Sequence, residues 1–245
     1  MTQLLHVQSV SGGYNPNKPV IKKVEFGVER GEIVGLIGLN GAGKSTTIKH
    51  ILGLLEPTDG AITLNGKTIA DDLDTYRQTM SFIPETPILY DELTLWEHLR
   101  LTAMAYDLTD WEERAESLLK TYRMAKMKHW FPSNFSKGMR QKVMIMCAFL
   151  VKPELYVVDE PFLGLDPVGI QSLLDQMVEM KNSGAGILMS THILTTAEKY
   201  CDRFVLLHHG TVYLKGTLAE LRTQANMPNA GLDEIYVEMT KEDDR

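Results

Sequence analysis

The sequence predicts an α/β fold whose core is interrupted by a helical insertion and fringed by antiparallel strands. Three observations carry this. Short apolar runs of strand length, GEIVGLIG (31–38), ELYVVDE (154–160) and GILMS (186–190), alternate with helical stretches. From about residue 87 to residue 150 the text turns helical without strands. Near the N-terminus, LLHVQSV and IKKVEFGVE read as strands on either side of the turn-rich SGGYNPNKP.

The elements follow in order. GEIVGLIG runs into LNGAGKST and then into the helix TTIKHILGLL, which Pro57 and Gly60 close. GAITLNGKTIA predicts a hairpin with Asn65 and Gly66 at its tip, because both turn positions need a positive φ. MSFIPE is a further strand. In the insertion, Thr94 with Glu97 and Thr109 with Glu112 each fit a capping box. After ELYVVDE come a helix around GIQSLLDQMVEM, the strand GILMS and the helix THILTTAEKYCD. RFVLLHHGTVYLKG predicts a strand pair turning near Gly210, and Thr217 with Glu220 caps a last short helix. KEDDR is expected to be a charged, frayed tail.

The chain of 245 residues is long enough for one large α/β domain with a smaller lobe. A formal net charge of −7 argues against wholesale nucleic-acid binding, which needs a basic face. The two cysteines, Cys147 and Cys201, form no C-x-x-C, so neither a zinc site nor a redox pair is indicated, and the usage suits a reducing cytoplasm. The longest apolar run, Val143 to Val151, is far short of the roughly 20 residues that cross a bilayer. MTQLLHVQSVSGG has no basic n-region or apolar h-region, so no signal peptide is expected.

GLNGAGKS, Gly38 to Ser45, matches G-x-x-x-x-G-K-[ST]. Phosphate oxygens only accept, so such a loop turns its N–H groups inward, and Gly38, Gly41 and Gly43 permit that curvature. Lys44 supplies a point charge between β- and γ-phosphates. The Ser45 hydroxyl is a ligand for Mg²⁺, and the following helix aims its positive end at the anion. The strand before the loop and the helix after it set this match apart from a Gly-rich surface turn.

LYVVDEP puts Asp159 and Glu160 at the end of an apolar strand. Side chains alternate there, so the two acids point differently: Asp159 toward a metal, Glu160 toward an attacking water as general base. A solvated strand end stopped by Pro161 is the alternative reading of those residues alone. Open α/β sheets bind ligands beyond the carboxyl ends of their strands. The phosphate loop, Asp159–Glu160 and Thr191–His192 all follow such strands, so they are expected to share one crevice, with His192 near the γ-phosphate or the water. In NFSKGMRQKVMIMCAFL, Ser136, Lys137 and Gly138 open a helix; taken alone, they fit an ordinary cap as well as an anion site.

Together these motifs resemble the ATP-binding subunits of ABC transporters over nearly the whole chain. GLNGAGKST resembles Walker A, LYVVDEP Walker B, FSKGMRQK the family signature, GLDP the D-loop and STH the H-loop, in the family's order and spacing. The resemblance implies a P-loop NTPase (RecA-like) core with an antiparallel β-subdomain, over 1–86 and 151–218. It implies an inserted helical subdomain over 87–150 that carries the signature, and a C-terminal helix and tail over 219–245. It implies hydrolysis of Mg·ATP between two copies packed head to tail, with Ser136 and Gly138 holding the γ-phosphate of the partner's ATP. Residue by residue, Tyr14 matches the aromatic that stacks on adenine, Asn40 and Thr46 match loop residues at the phosphates, and Asp166 matches the D-loop aspartate. The implied partners are a polytopic membrane subunit and a second copy of the chain, without nucleic acid. The implied location is the cytoplasmic face of the membrane, with export as the favoured direction.

Two positions depart from the family pattern. Glu85 stands where the family usually has a glutamine; its oxygen can serve Mg²⁺, at the cost of an added negative charge. Lys137 stands where the signature usually has glycine; its charge either assists phosphate binding or points outward. In TPILYDELTLWEHL, exposed Leu89, Tyr90 or Leu93 would suit a groove for a helix of the membrane subunit, unless they fill the lobe's own core. The competing class is a soluble family ATPase acting on the ribosome or on DNA. One Walker A, no long insert between Ser45 and Ser136 and the negative charge disfavour it. A phosphate-loop kinase or GTPase leaves the signature and Glu160 unexplained.

Overall fold

The computed structural model describes residues 3–241. The chain opens with β1 (Leu5–Gly12), β2 (Ile21–Val28) and β3 (Ile33–Ile37), then α1 (Lys44–Ile51), β4 (Asp59–Leu64), α2 (Leu73–Gln78) and β5 (Met80–Ile83). The insertion holds α3 (Leu95–Ala105), α4 (Trp111–Thr121) and α5 (Lys137–Val151). β6 (Leu155–Asp159), α6 (Pro167–Asn182), β7 (Gly186–Thr191), α7 (Leu194–Tyr200), β8 (Arg203–His208) and β9 (Thr211–Gly216) return to the core. α8 (Leu218–Gln224) and α9 (Leu232–Lys241) close it.

Six strands form the main sheet in the order β5-β6-β7-β3-β8-β9. All its neighbours pair in parallel except β8 with the antiparallel edge strand β9. Every residue of β3, β6 and β7 is buried, as befits parallel strands covered on both faces. A separate antiparallel sheet, β2-β1-β4, lies at the N-terminal side. One apolar core joins the insertion to the sheet: Leu95, Leu99, Leu118, Val143 and Phe149 pack with Tyr156, Ile187 and Met189.

Four details differ from the expectations. Asn65 and Gly66 do turn with positive φ, but only one bridge, Leu64 with Lys67, extends past the turn. β4 instead pairs with β1, which offers a full register from Leu5–Leu64 to Gln8–Ala61. Thr109 does not cap α4; Asp110 occupies that position at φ 52, with no side-chain cap bond. Beyond α8 there is one more helix, α9, whose Leu232, Ile235, Tyr236 and Met239 are buried. The rest of the expected tail, 242–245, lies outside the described residues. Leu89 and Leu93 are half-buried, and Leu89 packs on the core that the insertion shares with the sheet; Ile88 and Tyr90 are the exposed pair.

Among the described residues, no helix is long and apolar enough to cross a membrane. Burial pushes the Cys147 thiol up to about 11 and the Cys201 thiol to about 12, so neither is a reactive thiolate.

Candidate functional site

The site is built where β3, β6 and β7 end side by side. β3 is hydrogen-bonded to β7 and β8, so its exit at Gly38 is fixed by the sheet. A Cβ at Gly38 would lie 2.7 Å from the Leu207 carbonyl oxygen, and only glycine lets the backbone pass. Gly43 caps α1 with φ 106, a conformation closed to ordinary L-residues. Lys44 follows as the first residue of α1. Its ammonium is buried in the loop's curl, where it donates to the Gly38 carbonyl at 2.7 Å. The Thr47 hydroxyl donates to the Gly43 carbonyl at 2.9 Å and ties the loop to the helix.

β6 delivers the two carboxylates in different directions. Asp159 is buried and accepts a hydrogen bond from the Ser190 hydroxyl of β7. Glu160 has φ 44, a left-handed backbone that costs energy in a non-glycine residue. Its N–H donates to the Ser190 carbonyl and hydroxyl, at 3.2 and 3.1 Å, which holds the turned backbone. The strain re-aims the Glu160 carboxylate away from Asp159. Oε2 lies 2.8 Å from His192 Nδ1, and Oε1 lies 3.2 Å from Lys44 Nζ. Oε1 is buried and, despite the nearby ammonium, has no hydrogen bond of good geometry. A buried carboxylate oxygen with unused acceptor capacity is chemically suited to receive a proton.

These elements wall one cavity of about 390 Å³. Asn40, Gly41, Gly43, Lys44, Ser45, Thr46, Glu85, Glu160 and His192 all line it, with Val20, Leu39 and Leu163. Glu85 reaches it from the loop after β5, which Gln141 of α5 anchors by donating to the Pro84 carbonyl at 2.9 Å. Neither Gly38 nor Asp159 lines the cavity. Tyr14 is also off the cavity wall and is exposed. Its hydroxyl accepts from Lys49 Nζ at 3.0 Å, and that bond holds the phenol below its usual range. The Lys49 ammonium also lies over the ring, 5.1 Å from its centroid, and the rest of the residue is exposed.

Ser136, Gly138 and Asp166 line no part of this cavity. Ser136 caps α5 by accepting from the Met139 N–H at 3.3 Å. Gly138 sits against the loop before α6; a Cβ there would meet the Gly164 carbonyl oxygen at 2.1 Å. The aliphatic part of Lys137 runs beside that same Gly164. Asp166 caps α6 through the Gly169 N–H at 2.6 Å and pairs with Lys142 of α5 at 3.0 Å. These two contacts, the N–H first, hold its carboxyl below the usual range. Sequence reasoning missed Ser190, Lys142 and Tyr236, whose hydroxyl contacts the phosphate loop. A lone serine in the apolar strand GILMS was the available signal for Ser190.

Comparison with known proteins gives the same reading. The sequence profile of the ABC transporter family matches residues 21–163. The chain is 61% identical to the "ABC-type transporter ATP-binding protein EcsA" of Bacillus subtilis, over 98% of both chains. It is 44% identical to the "uncharacterized ABC transporter ATP-binding protein YthP" of the same organism, over 99% of both. A solved structure described as the ATP-binding subunit of an ABC transporter superposes with a TM-score of 0.94 at 59% identity, covering 97% of this chain and 99% of that one. Full-length identity to ATP-binding subunits, over a fold that gathers a phosphate loop and a buried acid in one cavity, places this chain in the ABC transporter family as an ATP-binding, ATP-hydrolysing subunit.

Proposed function

We propose that this chain drives a membrane transporter by closing as a head-to-tail dimer on two Mg·ATP and hydrolysing them. One observation carries the reading: a single cavity holds the phosphate loop together with Glu160, whose carboxylate spans Lys44 and His192. In this reading the loop N–H groups and Lys44 hold the β- and γ-phosphates. Water attacks the γ-phosphorus as the bond to the ADP oxygen breaks, and Glu160 takes the water's proton. His192 orients Glu160 and the γ-phosphate.

The side chains suit Mg²⁺ when it arrives with the nucleotide. The Ser45 hydroxyl and the Glu85 carboxylate are hard oxygen donors on the cavity wall, and Asp159, off that wall and bonded to Ser190, would act through water. No preassembled cluster of three or more ligating side chains occurs among the described residues. Mg²⁺ is commonly held by one or two carboxylates plus substrate phosphates, with water completing the shell. Bound there, it would neutralise charge on the transferring phosphate.

Ser136 and Gly138 belong to the second half of the reading, as donors to the partner's γ-phosphate, with Asp166 nearby at the interface. Tyr14 stacks on adenine. The membrane subunit docks on the helical lobe, where Ile88, Tyr90, Trp130 and Phe131 are exposed apolar groups suited to receive a helix. This contact would hold the chain at the cytoplasmic face of the membrane. Export is kept as the direction on the family resemblance alone.

Glu160→Gln tests the chemistry. Turnover should fall by about 10²–10⁴-fold, while Mg·ATP accumulates a dimer in size-exclusion chromatography. Steady-state hydrolysis near the wild-type rate would remove Glu160 from the role of base. Affinity purification from detergent-solubilised membranes should bring a polytopic protein in stoichiometric amount; ribosomal proteins instead would move the function to the soluble branch.

A further inference from the structure

α9 lies at the far end of the chain from the phosphate loop, yet the fold brings them into contact. The Leu39 N–H donates to the Tyr236 hydroxyl at 2.7 Å. Leu39 is the second residue of GLNGAGKS and lines the nucleotide cavity. Its carbonyl accepts from Lys44 Nζ at 3.4 Å, the same ammonium that donates to the Gly38 carbonyl. The Leu39 residue is therefore held on both sides, by Lys44 at its carbonyl and by Tyr236 at its N–H.

Tyr236 is itself well anchored. It is buried among Leu206, Leu221, Leu232 and Met239, and that burial pushes its phenol above the usual value. The start of α9 is fixed to α7, because the Leu232 N–H donates to Glu198 Oε2 at 2.7 Å. α7 begins two residues after His192, with Ile193 between. One helix thus touches the phosphate loop through Tyr236 and, through Glu198, the helix α7 that follows His192. Neither contact is needed to complete the sheet, since β3 and β7 pair with each other directly.

We propose that Tyr236 is a positioning residue for the nucleotide, and that α9 braces the phosphate loop against the His192 segment. A phosphate loop works by presenting several N–H groups in one fixed curve, so freedom at its second residue loosens the whole cradle. Tyr236→Phe removes one hydroxyl and keeps the ring in its apolar pocket. The inference rests on the phosphate-loop reading above.

The test measures ATP affinity of the full chain by calorimetry, KM and kcat of hydrolysis, and amide exchange of the phosphate-loop peptide, with Lys44→Ala as the control. In Tyr236→Phe, ATP affinity should fall about fivefold, the net effect of one hydrogen bond. KM should rise by a similar factor while kcat stays within about twofold, since the reacting groups are untouched. Exchange at Leu39 should speed up while the amides of α9 stay as protected as in wild type. Wild-type affinity and unchanged Leu39 exchange would overturn the brace. A lower melting temperature with unchanged affinity would also overturn it, leaving Tyr236 as core packing. If Lys44→Ala binds ATP as well as wild type, the phosphate loop itself is misread and the inference falls with it.

Discussion

The cleft at the strand ends and the face around the α5 start carry the two proposed anion-binding devices of the chain, and they are built differently. In the cleft, Lys44, Glu160 and His192 converge from three elements on one cavity, with the Glu160 carboxylate between the other two. Around α5, Ser136 and Asp166 spend their oxygens on their own helix caps, and Gly138 is pressed against Gly164. Nothing at that face converges on this chain's own cavity. A device with donors and acid–base groups can do chemistry; one with small residues and a helix end can only hold. Under the proposed function, in which two copies share a nucleotide, each copy would lend one device.

Substitutions can break that comparison. The largest expected effect is in the cleft. Lys44→Ala removes the only lysine that lines the cavity among the described residues. A hydrogen bond to a charged group contributes about 1.5–3 kcal/mol, so ATP affinity should drop about 10- to 100-fold in calorimetry. An unchanged affinity would mean that Lys44 serves only its own chain, at Gly38, Leu39 and Glu160, and that the phosphate loop is misread.

Gly138→Ala should act on the other device alone. The new methyl would meet the Gly164 carbonyl oxygen at 2.1 Å, so the loop before α6 or the first turn of α5 must move. Overpacking of this kind costs about 1–3 kcal/mol, readable as a lower denaturation midpoint. ATP affinity of the single chain should stay within about twofold, whereas turnover should fall because the holding face is displaced. Equal loss of affinity and turnover would show that the two regions are not separable.

The cleft was far more legible in the sequence than its supports. A phosphate loop is local: glycines, lysine and serine within eight consecutive positions carry their own chemistry. Asp159, Glu160 and His192 could be placed because parallel strands deliver their C-terminal ends to one edge. Ser190 was not found, since its partner Asp159 lies on another strand and neither residue implies the other without the register. The strain at Glu160 was equally hidden, because no composition announces a left-handed glutamate. α9 did carry a signal: Leu232, Ile235, Tyr236 and Met239 recur at helical spacing. Its Ile235, Val237 and Thr240 are poor helix formers, and tertiary burial overrode that preference. The hairpin at Asn65 failed for the opposite reason. Its turn chemistry was right, but β1 was the better partner for β4.

The smallest effect sharpens the comparison most, because Asp166 stands in both descriptions. By resemblance it is an interface residue; in the fold it is a helix cap and the partner of Lys142. Asp166→Asn separates these roles. Asparagine caps a helix about as well as aspartate, so the Gly169 contact survives and only the charge is lost. The ion pair is half-exposed on the aspartate side, where such pairs contribute about 0–1 kcal/mol. The sign of its pH dependence follows from the direction of the shift. The folded carboxyl titrates below its unfolded value, so its contribution is present above about pH 4 and disappears as pH falls through the folded pKa. Wild type should therefore be slightly more stable than Asp166→Asn at neutral pH, and the gap should close on acidification in parallel denaturation curves. If ATP-driven dimerisation is unaltered at neutral pH, the aspartate works within its own chain. If dimerisation fails while the stability gap stays this small, the charge is read by the partner, and the holding face includes the turn before α6 as well as the start of α5.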